Sequence, residues 1–590
     1  MNPARRRSLG YAAVTLAGVL ALAFTVLPGD GRTEIPGEPA ATAVDLTVPA
    51  TRYAVPADAI VVAPAGQDGA SGTVAAPLRT VAAAVGRARP GQTIVLRGGT
   101  YRETLGKVTK RIVLQPYPDE QAWLKGTVVV NGWSRSGGGW RHDGWDVDLC
   151  HSCFLGAIID PAHPFAGLPD MVFVNGKPLR QVGDADDVGP GRFFVDKAAK
   201  ALIIGDDPAG RTVEATAFDR LVQLDGEGAR GSVLRGIGVA QYASNQDYGN
   251  RGAMVVANAP DVTIENATFA WSASSGAAVY QPGGKVTGST FTDNGLAGLV
   301  ANRADGLRVT GSTFSRNNQE RFALSGEAIG ASGAKIAHTR QPYIAGNVFA
   351  DNIGTGWWCD LGCTDAVVIR NVAKGNAVNG LYYEVSSRAI IASNVLVGNR
   401  ARGLKISSSD HVRVYQNTFA DNATNLGLYN DPRDPSSDNY SKQNGLSWYT
   451  TDTVLVNNFF AQPKPANPII DSADHKDEPL EGHPFVVLSD GNAYLRGKSG
   501  TPAPLVIWSL GSGKTAGYPT LAEFTRATGR DQHSLAADLA GSPFTDPAKN
   551  NFTLRSGTPG QRAGQPLPAD IAAVLGVPPT PNPDIGALPQ

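Results

Sequence analysis

Charge is scarce in this sequence, and so are methionine and cysteine. Charged residues make up 18% of the 590, and the formal net charge is -1. That balance offers neither the basic surface nucleic acid requires nor a patch for an anionic membrane. Only 3 methionines stand against 69 glycines and 40 prolines, a profile of many short strands punctuated by turns. Leucine-rich repeats are excluded by the missing leucine framework, and a propeller by a repeat shorter than the ~40–50 residues a blade takes. At this length the chain exceeds one ordinary compact domain unless it is a repeat array, which grows in one dimension.

Arg5, Arg6 and Arg7 precede an apolar run from Leu9 to Leu27. At ~1.5 Å per residue such a run can span a bilayer. Residues 1–28 are therefore expected to be a removed signal peptide or a retained membrane anchor, with the rest of the chain outside the cytoplasm. Residues 29–57, rich in Pro, Thr, Ala and Glu, read as a disordered linker. The 4 cysteines form two close pairs, Cys150/Cys153 and Cys359/Cys363. In an exported chain these are disulfide candidates, with zinc as the alternative. No βαβ pattern surrounds Cys150-His-Ser-Cys153, which argues against a thioredoxin-like motif.

Self-similarity between about 260 and 460 sets the fold. Ser289, Ser312, Asn347, Asn371, Asn394 and Asn417 each open a short β-branched or aromatic run. They recur at about 23 residues, with one interval longer by about twelve. Repeated Asn at one turn position can form a ladder of amides between stacked coils. The expectation is an all-β chain, a right-handed parallel β-helix. Its N-terminal cap and first coils would span 58–139, with an amphipathic helix within 77–88. A β-rich insertion over 140–222 would contain an Asn175-Gly176 hairpin turn. The core would span 223–465, and C-terminal coils with a wrapping tail 466–590.

A second register places side chains. Gly298, Gly333, Gly356, Gly380 and Gly403 each start a five-residue strand about 14 residues before the next turn residue, and Gly427 looks like the sixth start. Strand side chains alternate between faces. Ala334, Ile336, Trp357, Cys359, Leu381, Tyr383, Leu404 and Ile406 fall on an apolar parity that fills the interior. Lys335, Trp358, Asp360, Tyr382, Glu384, Lys405, Ser407, Tyr429 and Asp431 share the other parity and are expected to face solvent. Asp360 and Glu384 occupy one column in adjacent coils, where carboxyl groups stand roughly 5 Å apart. Retaining glycosidases hold their acid pair at about 5–5.5 Å, and inverting ones at about 6.5–9.5 Å. Like charges so close raise one pKa, which suits a proton donor. Trp358 and Tyr382 on the same face can stack on sugar rings, and Lys335 and Lys405 can bond hydroxyls or carboxylates. Ser407, Tyr429 and Asp431 complete the candidate substrate-binding set. No metal and no cofactor is implied.

The stretches Ala59–Val81 and Val95–Glu103, with the ending Pro583-Asp-Ile-Gly-Ala587, resemble the N-terminal cap and first coils and the C-terminal end of bacterial β-helix proteins of the pectate-lyase-like superfamily. Trp358-Cys359-Asp360, followed one coil later by Tyr383-Glu384-Val385, is similar to the paired motifs of the β-helical β-xylosidases of glycoside hydrolase family 120. That resemblance implies Asp360 as nucleophile and Glu384 as general acid/base, acting on a polysaccharide or oligosaccharide. Cys359 and Cys363 depart from that family's pattern. Alternative readings are a polysaccharide lyase or epimerase with a lysine base, or a non-catalytic glycan- or wall-binding β-helix. The Asp-Pro-His-Glu signature of the epimerases and the Asp-Asp plus Gly-His-Gly signature of polygalacturonases are absent.

Overall fold

A computed structural model describes residues 47–587, apart from 155, 245–251, 325–329, 462–466, 477–484, 498–503, 540, 550 and 579. The expected export segment and most of the linker lie outside the described residues. Among the described residues no helix is long and apolar enough to cross a membrane.

Three sheets of 13 strands each run the length of the solenoid. Each coil contributes one strand to each sheet, so sequence neighbours lie in different sheets and pairing joins successive coils. The pairing is parallel until the hairpin of Val506–Gly511 with Lys514–Tyr518, which closes one sheet. The interior parity set is fully buried in one continuous core. Phe269, Phe291, Phe314 and Phe349 stack along it with ring centroids 4.8, 4.9 and 5.1 Å apart, the separation that one coil's rise imposes.

Two asparagine ladders bind coil to coil. In the first, Asn347 Nδ2 donates to Asn371 Oδ1 at 3.0 Å, and the pattern continues through Asn394, Asn417, Asn458 and Asn492. The second, at the turn before the candidate strands, joins Asn294, Asn317, Asn352, Asn376, Asn399 and Asn422. A buried turn leaves backbone groups without strand partners, and a side chain with both donor and acceptor satisfies them. The glycines that open these strands follow from the same crowding. A Cβ on Gly356 would sit 2.5 Å from the Gly380 carbonyl oxygen, and one on Gly380 would sit 2.7 Å from the Gly403 carbonyl oxygen and 2.8 Å from Asn399 Nδ2.

The N-terminal end is closed by the helix Val81–Arg87, whose Thr80 cap accepts from Ala83 N and whose Val81, Ala84 and Val85 are buried. Residues 47–57 are not a free linker. Thr51 O accepts from Asp119 N at 2.9 Å and Ala54 O from Gln115 Nε2 at 3.0 Å, and Thr47 O takes the Thr268 hydroxyl. These bonds lay the segment along the coils. The strands that depart from the coil begin at Thr127–Val129, earlier than 140, and form sheets of 4 and 5 strands. Asn175 (φ 51°) and Gly176 (φ 76°) turn its hairpin. At the other end, the helix Ala569–Leu575 folds back so that Ile571 and Leu575 pack on Ile369, Ala392, Tyr415 and Val456. Both cysteine pairs are disulfides, Cys150–Cys153 and Cys359–Cys363.

Candidate active site

The candidate residues lie on consecutive strands of one sheet: Ser332–Ala337, Thr355–Asp360, Leu381–Glu384, Arg402–Ser407 and Thr424–Asn430. Pairing sets Lys335, Trp358, Tyr382 and Lys405 in one column. Trp357, Trp358 and Cys359 pair with Leu381, Tyr382 and Tyr383, so Asp360 and Glu384 come next on neighbouring strands. The following strand departs from the glycine rule. Gly427 pairs with Lys405 instead of opening its strand, and Tyr429 pairs with Ser407. This shift of two residues preserves parity, which keeps Tyr429 outside.

The outward face is not open to solvent. Asp360 is 4% exposed, Trp358 5%, Tyr382 2% and Glu384 0%. A strap, residues 431–450, leaves the coil after Asn430 and covers the Glu384 end of the face, while Ala323, Leu324 and Ala331 flank Trp358 and Tyr382. The strap's Leu446 and Trp448 are buried with Val385 and Leu361. Its helix, Asn439–Gln443, is capped by Asp438, which also meets His338 Nε2 at 3.2 Å. Burial lowers the His338 imidazole below its ordinary pKa, the charge of Asp438 opposing.

The two acids have different partners. Asp360 meets Lys335 Nζ at 2.9 Å and accepts from Leu361 N at 2.7 Å. Lys335 Nζ also stands 3.5 Å from the Trp358 ring centroid. Glu384 accepts from Trp358 Nε1 at 2.8 Å and from Arg433. Trp358 thus meets the Asp360 lysine with its ring face and Glu384 with its indole N–H. Tyr382 stacks on Trp358 at 5.3 Å and 18°, and Lys405 lies over Tyr382 at 4.3 Å. Arg433 Nη2 reaches Asp431 Oδ2 at 2.8 Å and its Nε reaches Asp431 Oδ1 at 3.1 Å. Burial pulls the Arg433 guanidinium down. The hydrogen bond to Asp431 and the charges of Glu384, Asp431 and Asp360 outweigh it and raise the pKa above its ordinary value.

The other candidates serve neighbours. Ser407 Oγ donates to Asp431 Oδ2 at 3.4 Å. Tyr429 donates to Asp471 at 2.5 Å and accepts from Arg402 Nε at 2.9 Å. Beside the acids, Trp358, Tyr382 and Lys405 line a small cleft of about 150 Å³ with Arg402, Thr355 and Asn379. Asn379 Oδ1 is buried there without a hydrogen-bond partner. Cys359 and Cys363 sit in the interior, so their bond clamps the turn that carries Asp360. Among the described residues no group of three or more His, Cys, Asp or Glu is placed to hold a metal.

Residues 252–419 match a family model described as a right handed beta helix region. The chain is a right-handed parallel β-helix. Pectate lyase PEL9 of Emericella nidulans is 41% identical to this β-helix over 80 residues, covering 12% of this chain and 20% of that protein. The chain therefore spans about a fifth of the length of the curated relative it matches. The structure of XylC with xylose superposes with a TM-score of 0.52 at 14% identity, over 74% of this chain and 83% of that one. A glycoside hydrolase structure gives a TM-score of 0.45 at 15% identity, over 63% and 95%. The XylC likeness, at 14% identity, speaks for the β-helix fold and not for a reaction.

Arg433, Trp448 and the second asparagine ladder are the participants that sequence reasoning missed. The ladder was visible, since Asn352, Asn376, Asn399 and Asn422 repeat the spacing of the first set. Arg433 had no such signal, because it lies outside any strand and parity says nothing about it.

Proposed function

We propose that this chain is an extracytoplasmic carbohydrate-active enzyme, a retaining glycoside hydrolase with Asp360 as nucleophile and Glu384 as general acid/base. The observation that carries the reading is the carboxylate pair on neighbouring rungs, each acid with its own partners. Rungs lie about 4.8 Å apart, which suits the ~5–5.5 Å of a retaining pair better than the wider inverting one. Lys335 and the Leu361 amide hold the Asp360 carboxyl in place, and its oxygen would attack the anomeric carbon. Glu384 would give its proton to the leaving oxygen, then take one from the water that cleaves the glycosyl–Asp360 ester. The cleft supplies an aromatic wall and the Asn379 oxygen, an acceptor for a sugar hydroxyl. The two disulfides suit an oxidising compartment, in keeping with export.

A screen of chromogenic glycosides, followed by NMR of the first-formed anomer, tests this. Retained configuration is expected, with Glu384→Gln losing turnover while keeping binding. An inverted anomer overturns the mechanism. The cations in and beside the cleft, Lys405, Arg402 and Lys335, favour a second reading, a lyase or epimerase acting on an acidic sugar with a lysine base. An ultraviolet-absorbing unsaturated product, or a changed C5 configuration in an intact chain, would establish it. Binding without turnover of any glycan would leave a glycan-binding wall protein.

A further inference from the structure

Glu384 has no exposed surface, yet the proposed chemistry requires it to meet both a sugar oxygen and a proton. Trp358, Ser407, Tyr382 and Val385, which surround it on the coil and at its turn, are all buried. The Arg433 side chain, bonded to the same carboxylate, is 39% exposed. Among the described residues, the Arg433 guanidinium is thus the part-exposed group that lies on Glu384. Arg433 is carried by the strap and by no strand of the coil, and Asp431 holds it through a second, independent set of contacts. The backbone behind it is held by Lys476, which donates to the Arg433 carbonyl.

We propose that Arg433 is a positioning residue that gates the acid pair. In the closed site its guanidinium covers Glu384 and favours the ionised form. On opening it breaks from Glu384 and keeps its bonds to Asp431. Glu384 then keeps the Trp358 N–H and its burial beside Val385 but loses its cation, and so takes up a proton from solvent more readily. That proton is the one delivered to the leaving oxygen, and Glu384 recovers one from the attacking water. The inference rests on the assignment of Glu384 as the acid. The charged groups on the elements around it are Asp360 and Lys335 on the preceding rungs, Lys405 on the following rung, Asp431 on the strap and Lys476 behind it. His338 stands at the strap's far contact, against Asp438. Strap opening leaves the coil residues in place, so the change at Glu384 comes from Arg433.

The test compares the native protein with Arg433→Met and Arg433→Lys, each confirmed folded by circular dichroism. A water-soluble carbodiimide with glycine ethyl ester labels carboxyl groups that are both reachable and protonated, and peptide mass spectrometry reads the label on Glu384. Arg433→Met is expected to raise the Glu384 labelling rate about tenfold, since a lost contact of about 1.4 kcal/mol is a tenfold change. The alkaline limb of the kcat/KM profile should move to higher pH, and Arg433→Lys should restore both readings toward native. Unchanged labelling and an unmoved limb, with only lower stability, overturn the gate. If labelling rises while the native protein cleaves no glycoside, the gate stands and the hydrolase reading falls.

Discussion

Replacing Asn376 with alanine removes four side-chain hydrogen bonds from the turn beneath the candidate site. Its Oδ1 accepts from Asn352 N at 3.2 Å and from Asn352 Nδ2 at 2.9 Å, and its Nδ2 donates to Phe349 O at 3.0 Å and Asn399 Oδ1 at 2.9 Å. Asn352, Asn376 and Asn399 are all buried. Alanine strands two donors of Asn352 and the Phe349 carbonyl, while Asn399 Oδ1 keeps the bond from the backbone of residue 376. Each stranded group costs about 1–3 kcal/mol, and water entering the space left by the amide recovers part of this. The expected loss is about 4 kcal/mol, against under 1 kcal/mol for Arg388→Ala, which breaks an exposed ion pair with Asp365. Urea unfolding followed by circular dichroism, with the m-value checked for constancy, measures both. Should Asn376→Ala cost no more than Arg388→Ala, the ladder is ornamental and the account of coil stacking fails.

Three further outcomes are expected. Trp358→Phe keeps the ring stack but deletes the 2.8 Å donor to Glu384. A hydrogen bond to a charged group is worth about 1.5–3 kcal/mol, so kcat/KM should fall roughly 10- to 100-fold, and an unchanged value removes Trp358 from the mechanism. Glu320 has its carboxyl pushed up to about 7 by burial. A raised carboxyl adds stability that is complete below its ordinary range near 4.5 and lost as pH rises through about 7. Glu320→Gln should therefore match the native protein near pH 4.5 and exceed it above pH 8. The gain should be about 1–2 kcal/mol, reduced from the full shift because the side chain keeps some solvent contact. Equal denaturation midpoints at both pH values would contradict the burial argument. Replacing Cys359 and Cys363 together by alanine loosens the turn carrying Asp360. Stability should drop by about 2 kcal/mol, with kcat falling more than binding weakens, as read by calorimetry and steady-state kinetics.

Much of this arrangement was legible in the residues because a solenoid converts sequence period directly into spatial order. The turn spacing from Asn347 to Asn417 located the coils, and strand parity put Trp357 and Cys359 inside with Trp358 and Asp360 outside. What escaped was whatever lacks a period. The strap has no repeat to align, so neither its burial of Glu384 nor its delivery of Arg433 follows from spacing. The register at Gly427 failed because glycine there packs beside Arg402 and Tyr429 instead of marking a strand start. Residues 47–57 read as linker by composition, yet their carbonyls find donors on the coils, a long-range pairing that composition does not report.

Ala337 pairs with Asp360 across the rung above it, and this has an engineering consequence. On the proposed reading the separation of the acids follows the rise of the coil and so comes in whole steps. Transplanting the aspartate from 360 to 337 would put two rises between it and Glu384, about 9.6 Å, near the upper end of the range where water fits between the carboxyls of an inverting enzyme. If the proposed hydrolase reading holds, the stereochemical outcome becomes a quantity one selects by counting turns.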